Sequence, residues 1–293
     1  MIWLVVVNPG AGKRNDVEER THRGLAAHGV EAEVRVSTDG AHIATLIAEG
    51  KEEGFDRFVA VGGDGTANAV VDSLLRLEWP EPPTFAILPA GTGSDFVRTF
   101  GRSQVLEDSL QYLVGDETYA IDVGHIQGPW GDRYFINVAE AGLGAVVVRI
   151  ADRLPARWGA FRYKAAIWPA LARFPQGEVS ITVGERQYTG PATLVVMANA
   201  QFFGGGMNVA PKAMLVDGAL DVQVLTGSKR QALVLQPMVT RGTHLRHPSV
   251  RRMSGSRVLV ESAAPWPVEA DGEYLGEGNV EASVLPRALR FKT

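Results

Sequence analysis

Phe58-Val59-Ala60-Val61-Gly62-Gly63-Asp64-Gly65-Thr66-Ala67-Asn68 is the stretch that decides the fold. An apolar run, Phe58 to Val61, enters a glycine turn. A helix-like segment, Ala67 to Leu77, leaves it with Val70, Val71, Leu74 and Leu75 on one side. Strand, glycine turn and helix in that order open a parallel α/β unit. Glycine admits a ligand to the backbone where a Cβ would collide, and the first turn of a helix offers unpaired N–H groups to anions. The helix dipole gives at most about 2 kcal/mol, whereas millimolar affinity needs about 4 kcal/mol. Further phosphate contacts must therefore come from other turns. Asp64 is repulsive toward phosphate unless a metal or a reacting hydroxyl lies between them. A tight strand-to-helix turn with a capping Asp or Thr accounts for the same residues, so the surroundings decide.

Upstream, Ile2 to Val7 is a continuous apolar run, read as a buried parallel strand. It ends in Asn8-Pro9-Gly10-Ala11-Gly12-Lys13, after which Asn15 or Asp16 caps a helix to about His28. Lys13 lacks the spacing and the following Ser/Thr of a Walker sequence. Val30 to Ser37 reads as a strand and Thr38-Asp39-Gly40 opens a helix through Glu53. Thr84 to Leu88 is a fourth strand, leading into Pro89-Ala90-Gly91-Thr92-Gly93-Ser94-Asp95-Phe96. Right-handed crossovers place these turns on one edge of a parallel sheet, where open α/β sheets bind ligands. Three glycine turns converging there favour a phosphate cradle.

From about Tyr119 strands dominate: Tyr119 to Gln127, Asp132 to Val138, Glu178 to Val183, Thr193 to Ala198, Ala219 to Leu225, Val258 to Glu261 and Val280 to Leu285. Short polar turns between them predict a mostly antiparallel second domain with helical insertions near 143–174 and 228–245. The 293 residues suffice for two cores, and 45% hydrophobic with 21% charged residues is ordinary for a globular chain. A net charge of -4 argues against general nucleic-acid binding, and zero cysteines exclude disulfides and thiolate metal sites. No basic region precedes the first apolar run, so no signal peptide is expected. No run approaches the roughly 20 apolar residues of a membrane span.

Gly63-Asp64-Gly65-Thr66, with Asn8 to Gly12 upstream, resembles the nucleotide site shared by diacylglycerol-type lipid kinases, sphingosine kinases, NAD kinases and phosphofructokinases. Gly91-Thr92-Gly93-Ser94-Asp95-Phe96-Val97-Arg98 is similar to an element of the lipid-kinase branch. Gly204-Gly205-Gly206-Met207 with Pro211, Asp217-Gly218 and Leu220-Asp221 resembles it too, as does Asp271-Gly272-Glu273 with the closing Pro286, Ala288 and Leu289. The resemblance covers nearly the whole chain in order, and bacterial soluble diacylglycerol kinases are the nearest likeness. It implies an α/β nucleotide domain, residues 1–120 with 286–293 returning to it, and a β-sandwich lipid domain, residues 121–285, with the active site in the cleft between them. ATP contacts are implied for Asn8, Pro9, Gly10, Ala11, Gly12, Thr38, Gly63, Asp64, Gly65, Thr66, Ala67, Asn68 and Thr92. Glu273 corresponds to the proton acceptor, and partial burial is expected to make it a better base. Asp217, with the main-chain carbonyls of Met214 and Ala219, corresponds to a magnesium site. Asp64, Asp95 and Asp122 correspond to positions that organise a second, catalytic Mg2+ through water. Spread carboxylates suit magnesium, which keeps waters and phosphates in its shell. An ordinary Asp-Gly turn competes for Asp217, and a solvated turn acid for Glu273.

The sequence departs from the family pattern at Ala69 (usually Glu), Ser94 (usually Asn) and Gly144 (Asp in many relatives). Two acid-free spans, Arg153 to Phe174 and Val222 to Val260, carry the basic excess, the first interleaved with Trp158, Phe161, Tyr163, Trp168 and Phe174. Such a face suits an anionic membrane, or a helix pair with a solvated basic side. His244 and His247 lack a third ligand and are read as structural or headgroup-facing. The expected reading is an ATP- and magnesium-dependent kinase of diacylglycerol, cytoplasmic and transiently membrane-associated. Its partner is a lipid at an anionic surface, with no nucleic acid and a homodimer left open. A sphingoid base or phosphatidylglycerol as acceptor, an NAD kinase-like enzyme and a non-catalytic lipid- or nucleotide-binding regulator are the alternatives.

Overall fold

The first apolar run forms β1 (Trp3–Val7), buried at every residue. Such a strand needs cover on both faces, and alternation with helices supplies it. In order come α1 (Val17–Ala27), β2 (Ala32–Val36), α2 (Gly40–Glu52), β3 (Arg57–Gly62), α3 (Asp64–Leu75), β4 (Thr84–Pro89), α4 (Asp95–Thr99) and α5 (Leu106–Ser109). This computed structural model describes residues 2–11, 16–91, 93–155, 158–159, 161–174 and 176–293. The strands pair in parallel in the order β2-β1-β3-β4. Val5, Val7, Val59, Val61, Ala86 and Leu88 pack on one side against Val17 and Leu25 of α1 and Leu106 of α5. On the other side Gly50 lets α2 approach, since a Cβ there would stand 2.3 Å from Leu4 Cδ2. The chain runs from β1 out to β2, then back past β1 to β3. The order reverses between β1 and β3, and the crevice beyond their carboxyl ends is where such sheets take ligands.

The remaining elements are β5 (Thr118–Gly128), β6 (Gly131–Phe135), β7 (Val138–Gly142), α6 (Leu143–Ala151), α7 (Phe161–Arg173), β8 (Gly177–Val183), β9 (Arg186–Ala192), β10 (Leu194–Ala198) and β11 (Leu220–Leu225). They are followed by α8 (Lys229–Thr240), β12 (Val250–Gly255), β13 (Arg257–Ser262), β14 (Pro267–Ala270), β15 (Glu273–Glu277) and β16 (Val280–Lys292). The chain forms two units, residues 1–122 with 287–293, and residues 123–286. In the second unit β9, β8, β13 and the first half of β16 pair antiparallel. A separate sheet of six strands has the order β12-β11-β10-β7-β14-β15. Alternate residues of the two layers, among them Val179, Ile181, Val258, Val260, Ala139, Ala141, Met197 and Val268, share one core. The fold is thus a parallel α/β unit and an antiparallel β-sandwich.

In the first unit the end of β16 lies parallel to β4 through Arg290 and Phe291. Phe291 packs 5.1 Å from the Phe96 ring and 4.6 Å from Phe100, centroid to centroid. Several element bounds differ from expectation. The strand expected over Asp132 to Val138 is two, β6 and β7, because the Asp271 carboxylate takes the N–H groups of Ile136, Asn137 and Val138 at 2.8, 3.0 and 2.9 Å. Strands β9, β12, β14 and β15 escaped the pattern, since Gly, Pro, Arg or Glu interrupt their alternation.

Candidate functional site

At the carboxyl edge of the parallel sheet the three glycine turns are tied together by their own backbones. The Asn8 N–H donates to the Val61 carbonyl at 3.0 Å, and Asn8 Nδ2 donates to Thr66 Oγ1 at 3.0 Å. Asn8 Oδ1 accepts the Gly10 N–H at 3.0 Å, and the Asn8 carbonyl accepts the Ala11 N–H at 3.0 Å. The Ala90 and Gly91 N–H groups both reach the Gly62 carbonyl, at 2.9 and 3.2 Å. A Cβ at Gly91 would lie 2.6 Å from Gly63 Cα, so that pair is glycine for backbone packing. Gly65 differs. It is exposed in the first turn of α3, with nothing within 4 Å of where its Cβ would be. Open space thus lies beside N–H groups that a helix start leaves without intrahelical acceptors. Ala67 and Asn68 are buried behind it, and Pro9 and Gly10 are exposed. Thr38, exposed at the end of β2, has its N–H on His42 Nδ1 at 3.1 Å, while neighbouring Ser37 donates its N–H to the Val7 carbonyl at 2.9 Å. Gly12 and Thr92 lie outside the described residues.

Asp64 opens α3 and caps α4. Its carboxylate accepts the Asp95 N–H at 3.0 Å and the Phe96 N–H at 3.3 Å, while Ser94 makes no side-chain cap. Burial, then the Asp95 charge, push the Asp64 carboxyl up to about 6, against the lowering effect of those two hydrogen bonds. Asp95 is buried, with Arg98 Nε 3.7 Å from its Oδ1. Asp64 and Asp95 therefore stand together at the same edge. Asp122 is buried, and one of its oxygens takes the Arg287 N–H at 2.8 Å, where Arg287 has φ +52. A nucleoside triphosphate with a hard divalent cation fits this chemistry: a helix start with open room, flanked by two all-oxygen donors. Among the described residues no group of three His, Cys, Asp or Glu side chains is placed to hold a metal ion by itself. A Mg2+ held here would draw its other ligands from phosphate and water.

In the second unit the turn Asp271-Gly272-Glu273 is held from behind. Asp271 has φ +48 and clamps the break between β6 and β7, and the Gly272 N–H donates to Glu269 Oε2 at 2.7 Å. Glu273 begins β15, with Arg133 Nη2 donating to its Oε2 at 2.5 Å. The expected partial burial is not met: Glu273 stands at the exposed start of β15, its side chain 56% exposed. Asp217 Oδ1 accepts the Ala219 N–H at 3.2 Å across Gly218, which has φ +68. That bond closes an Asp-Gly turn, and Met214, nearby in sequence, is 53% exposed. Gly204, Gly205 and Gly206 have φ of +69, +84 and +93, a run of left-handed backbone that only glycine adopts freely. His244 is buried, its Nε2 2.8 Å from Gln223 Oε1, and is structural.

Sequence reasoning missed Arg133, the clamp made by Asp271, and two buried acids, Glu140 and Glu269. The last two were legible only as single acids inside apolar strands, Val138-Ala-Glu140-Ala and Val268-Glu269-Ala. The basic, aromatic span is divided by the fold. Trp158, Phe161 and Trp168 are exposed by 42, 61 and 66%, with Arg153 and Arg173 exposed near them in sequence. Phe174 instead packs edge-on to Trp266, and Arg162 donates to the Tyr163 hydroxyl at 3.1 Å. In the second basic span Arg252 pairs with buried Asp221 and Arg257 with Glu281, so those two are committed within the protein.

Comparison with known proteins follows this division. The family model described as the YegS C-terminal NAD kinase beta sandwich-like domain matches residues 137–293, and the diacylglycerol kinase catalytic domain matches residues 2–126. The chain is 26% identical over 270 residues to lipid kinase YegS of Escherichia coli (strain K12), covering 92% of this chain and 88% of that protein. It superposes with TM-score 0.75, at 21% identity, on a solved diacylglycerol kinase from Bacillus anthracis str. Sterne, covering 99% of this chain and 96% of that one.

Proposed function

The chain belongs to the YegS-type lipid kinase family, and we propose that it transfers the γ-phosphate of ATP, with Mg2+, to the free hydroxyl of diacylglycerol. The observation that carries the nucleotide half is the joining of three glycine turns at the switch point, with Asp64 bonded to the start of α4. Such an edge can hold phosphate oxygens on first-turn N–H groups while Asn8 keeps the first turn against Thr66. A Mg2+ bound there would supply charge neutralisation for the phosphate oxygens. Asp64 and Asp95 would hold it through water, and Asp217 with the Met214 and Ala219 carbonyls would hold a second ion. Glu273 takes the proton of the acceptor hydroxyl, with Arg133 fixing its carboxylate and the clamped Asp271-Gly272 turn fixing its backbone. Proton acceptors of this kind need position before basicity.

Membrane contact is supported by exposed Trp158, Phe161 and Trp168, with Arg153 and Arg173 exposed near them in sequence. Among the described residues no helix is long and apolar enough to cross a bilayer. Each basic residue near an anionic surface contributes about 1 kcal/mol, and interfacial aromatics add apolar burial. The lipid reaches the enzyme at such a surface. Glu273→Gln tests the catalytic assignment: ATP binding by calorimetry stays within about twofold while lipid phosphorylation falls by about 100-fold or more. Full activity in that variant would remove Glu273 from the chemistry.

A further inference from the structure

Glu140 on β7 and Glu269 on β14 stand directly opposite each other in antiparallel register, both buried. Their neighbours Ala139, Ala141, Val268 and Ala270 point into the sandwich core. By strand alternation the two acids lie on the opposite face of the sheet, on which α6 packs. Directly opposed residues have Cβ atoms about 5 Å apart, which puts the two acids within reach of each other on that face. Among the described residues neither has an ion-pair partner. Glu269 Oε2 accepts the Gly272 N–H at 2.7 Å, and Glu269 Oε1 is buried with no hydrogen-bond partner among the described residues. Two neighbouring buried carboxylates with no cation beside them resist ionising together. Burial raises Glu140 to about 7, and burial and then the Glu140 charge raise Glu269 well above the ordinary range. Position 144 completes the arrangement. A Cβ on Gly144 would sit 1.6 Å from Glu140 Oε2 and 2.6 Å from its Cδ, so the Glu140 carboxyl fills the volume of a side chain at 144.

We propose that Glu140 and Glu269 share one proton and form the positioning pair of the reaction. Glu269 fixes the backbone N–H immediately before Glu273, and Glu140 locks Glu269. The shared proton supplies the donor that two ionised acids would lack, so the pair acts as a singly charged strut rather than as a site for metal or substrate. Charged and titratable groups near it are Asp271 on the same turn, Tyr274 on β15 opposite Glu269, Arg149 on α6, which donates to Glu277, and Tyr163 on α7, whose hydroxyl lies 3.6 Å from a Cβ position on Gly272. This inference rests on Glu273 as the proton acceptor.

The test is kinetic and spectroscopic. Glu269→Leu should lower kcat by about tenfold to 100-fold, with the KM for ATP unchanged, because a displaced general base is felt in turnover alone. Glu269→Gln, which keeps an acceptor for Gly272 and adds a donor to Glu140, should recover most of that loss. Glu140→Ala should be slow, and adding Gly144→Asp should restore rate by delivering a carboxyl to the same place from the helix side. The infrared spectrum of the whole protein near neutral pH should show a protonated-carboxyl stretch that Glu269→Gln removes. Glu273→Gln is run alongside. If that variant keeps its rate, the base assignment fails. If it is inactive while Glu269→Leu turns over normally, the positioning role is overturned. Absence of the carboxyl band, or a Gln variant as slow as Leu, overturns the shared proton.

Discussion

Single side chains at this protein's site are set against water in opposite ways. Asp64 is partly buried, its carboxyl pushed up to about 6 by burial, while Glu273 is largely exposed and held by Arg133. Asp64 was legible because glycine brackets it; its bonds to the Asp95 and Phe96 N–H groups were not, since those residues arrive from another turn. The Glu140–Glu269 pair was illegible for the same reason: each acid reads as a lone charge until the β7–β14 register joins them. These two acids also predict a pH dependence. A carboxyl whose native pKa is raised stabilises the fold fully while protonated in both states. That contribution is lost as pH rises from the ordinary value of 4.5 through about 7. Chemical denaturation of the wild type should therefore show stability falling over that window, with a flatter profile in the Glu140→Gln/Glu269→Gln double variant. An identical slope in both would mean that the pair ionises normally.

Among the elements, the parallel strands declared themselves because burial on two faces demands unbroken apolar runs, as in β1 and β3. Helix α3 begins at Asp64 rather than Ala67, which makes Asp64, Gly65 and Thr66 its first turn and puts the open space at Gly65 on a helix start. The two glycines at this edge should then behave differently. Gly91→Ala forces a Cβ onto Gly63 and should destabilise by about 1–3 kcal/mol, read as a lower Tm. Gly65→Ala meets no atom, should hold or raise Tm by removing a helical glycine, and should still weaken ATP binding. Equal ATP affinity in Gly65→Ala and wild type would place the phosphates elsewhere. The antiparallel half was less legible, as β12 and β14 carry Arg, Pro and Glu where alternation looks for apolar residues.

At the scale of the molecule, the last seven residues belong to the first unit, where Phe291 packs among Phe85, Phe96 and Phe100 and Arg102 donates to the Lys292 carbonyl at 2.9 Å. Ending the chain after Pro286 should destabilise the parallel unit, seen as faster amide exchange in β3 and β4; unchanged protection would show that β16 is dispensable there. Trp168→Ala should weaken binding to anionic vesicles without lowering Tm, because that side chain is 66% exposed. Equal binding would move the membrane face elsewhere. Phosphate transfer itself is the direct test of what the whole chain does. Incubated with γ-labelled ATP, Mg2+ and vesicles carrying diacylglycerol, a sphingoid base or phosphatidylglycerol, with NAD in a parallel reaction, the protein is expected to label diacylglycerol. Label on NAD, or on no lipid at all, would contradict it.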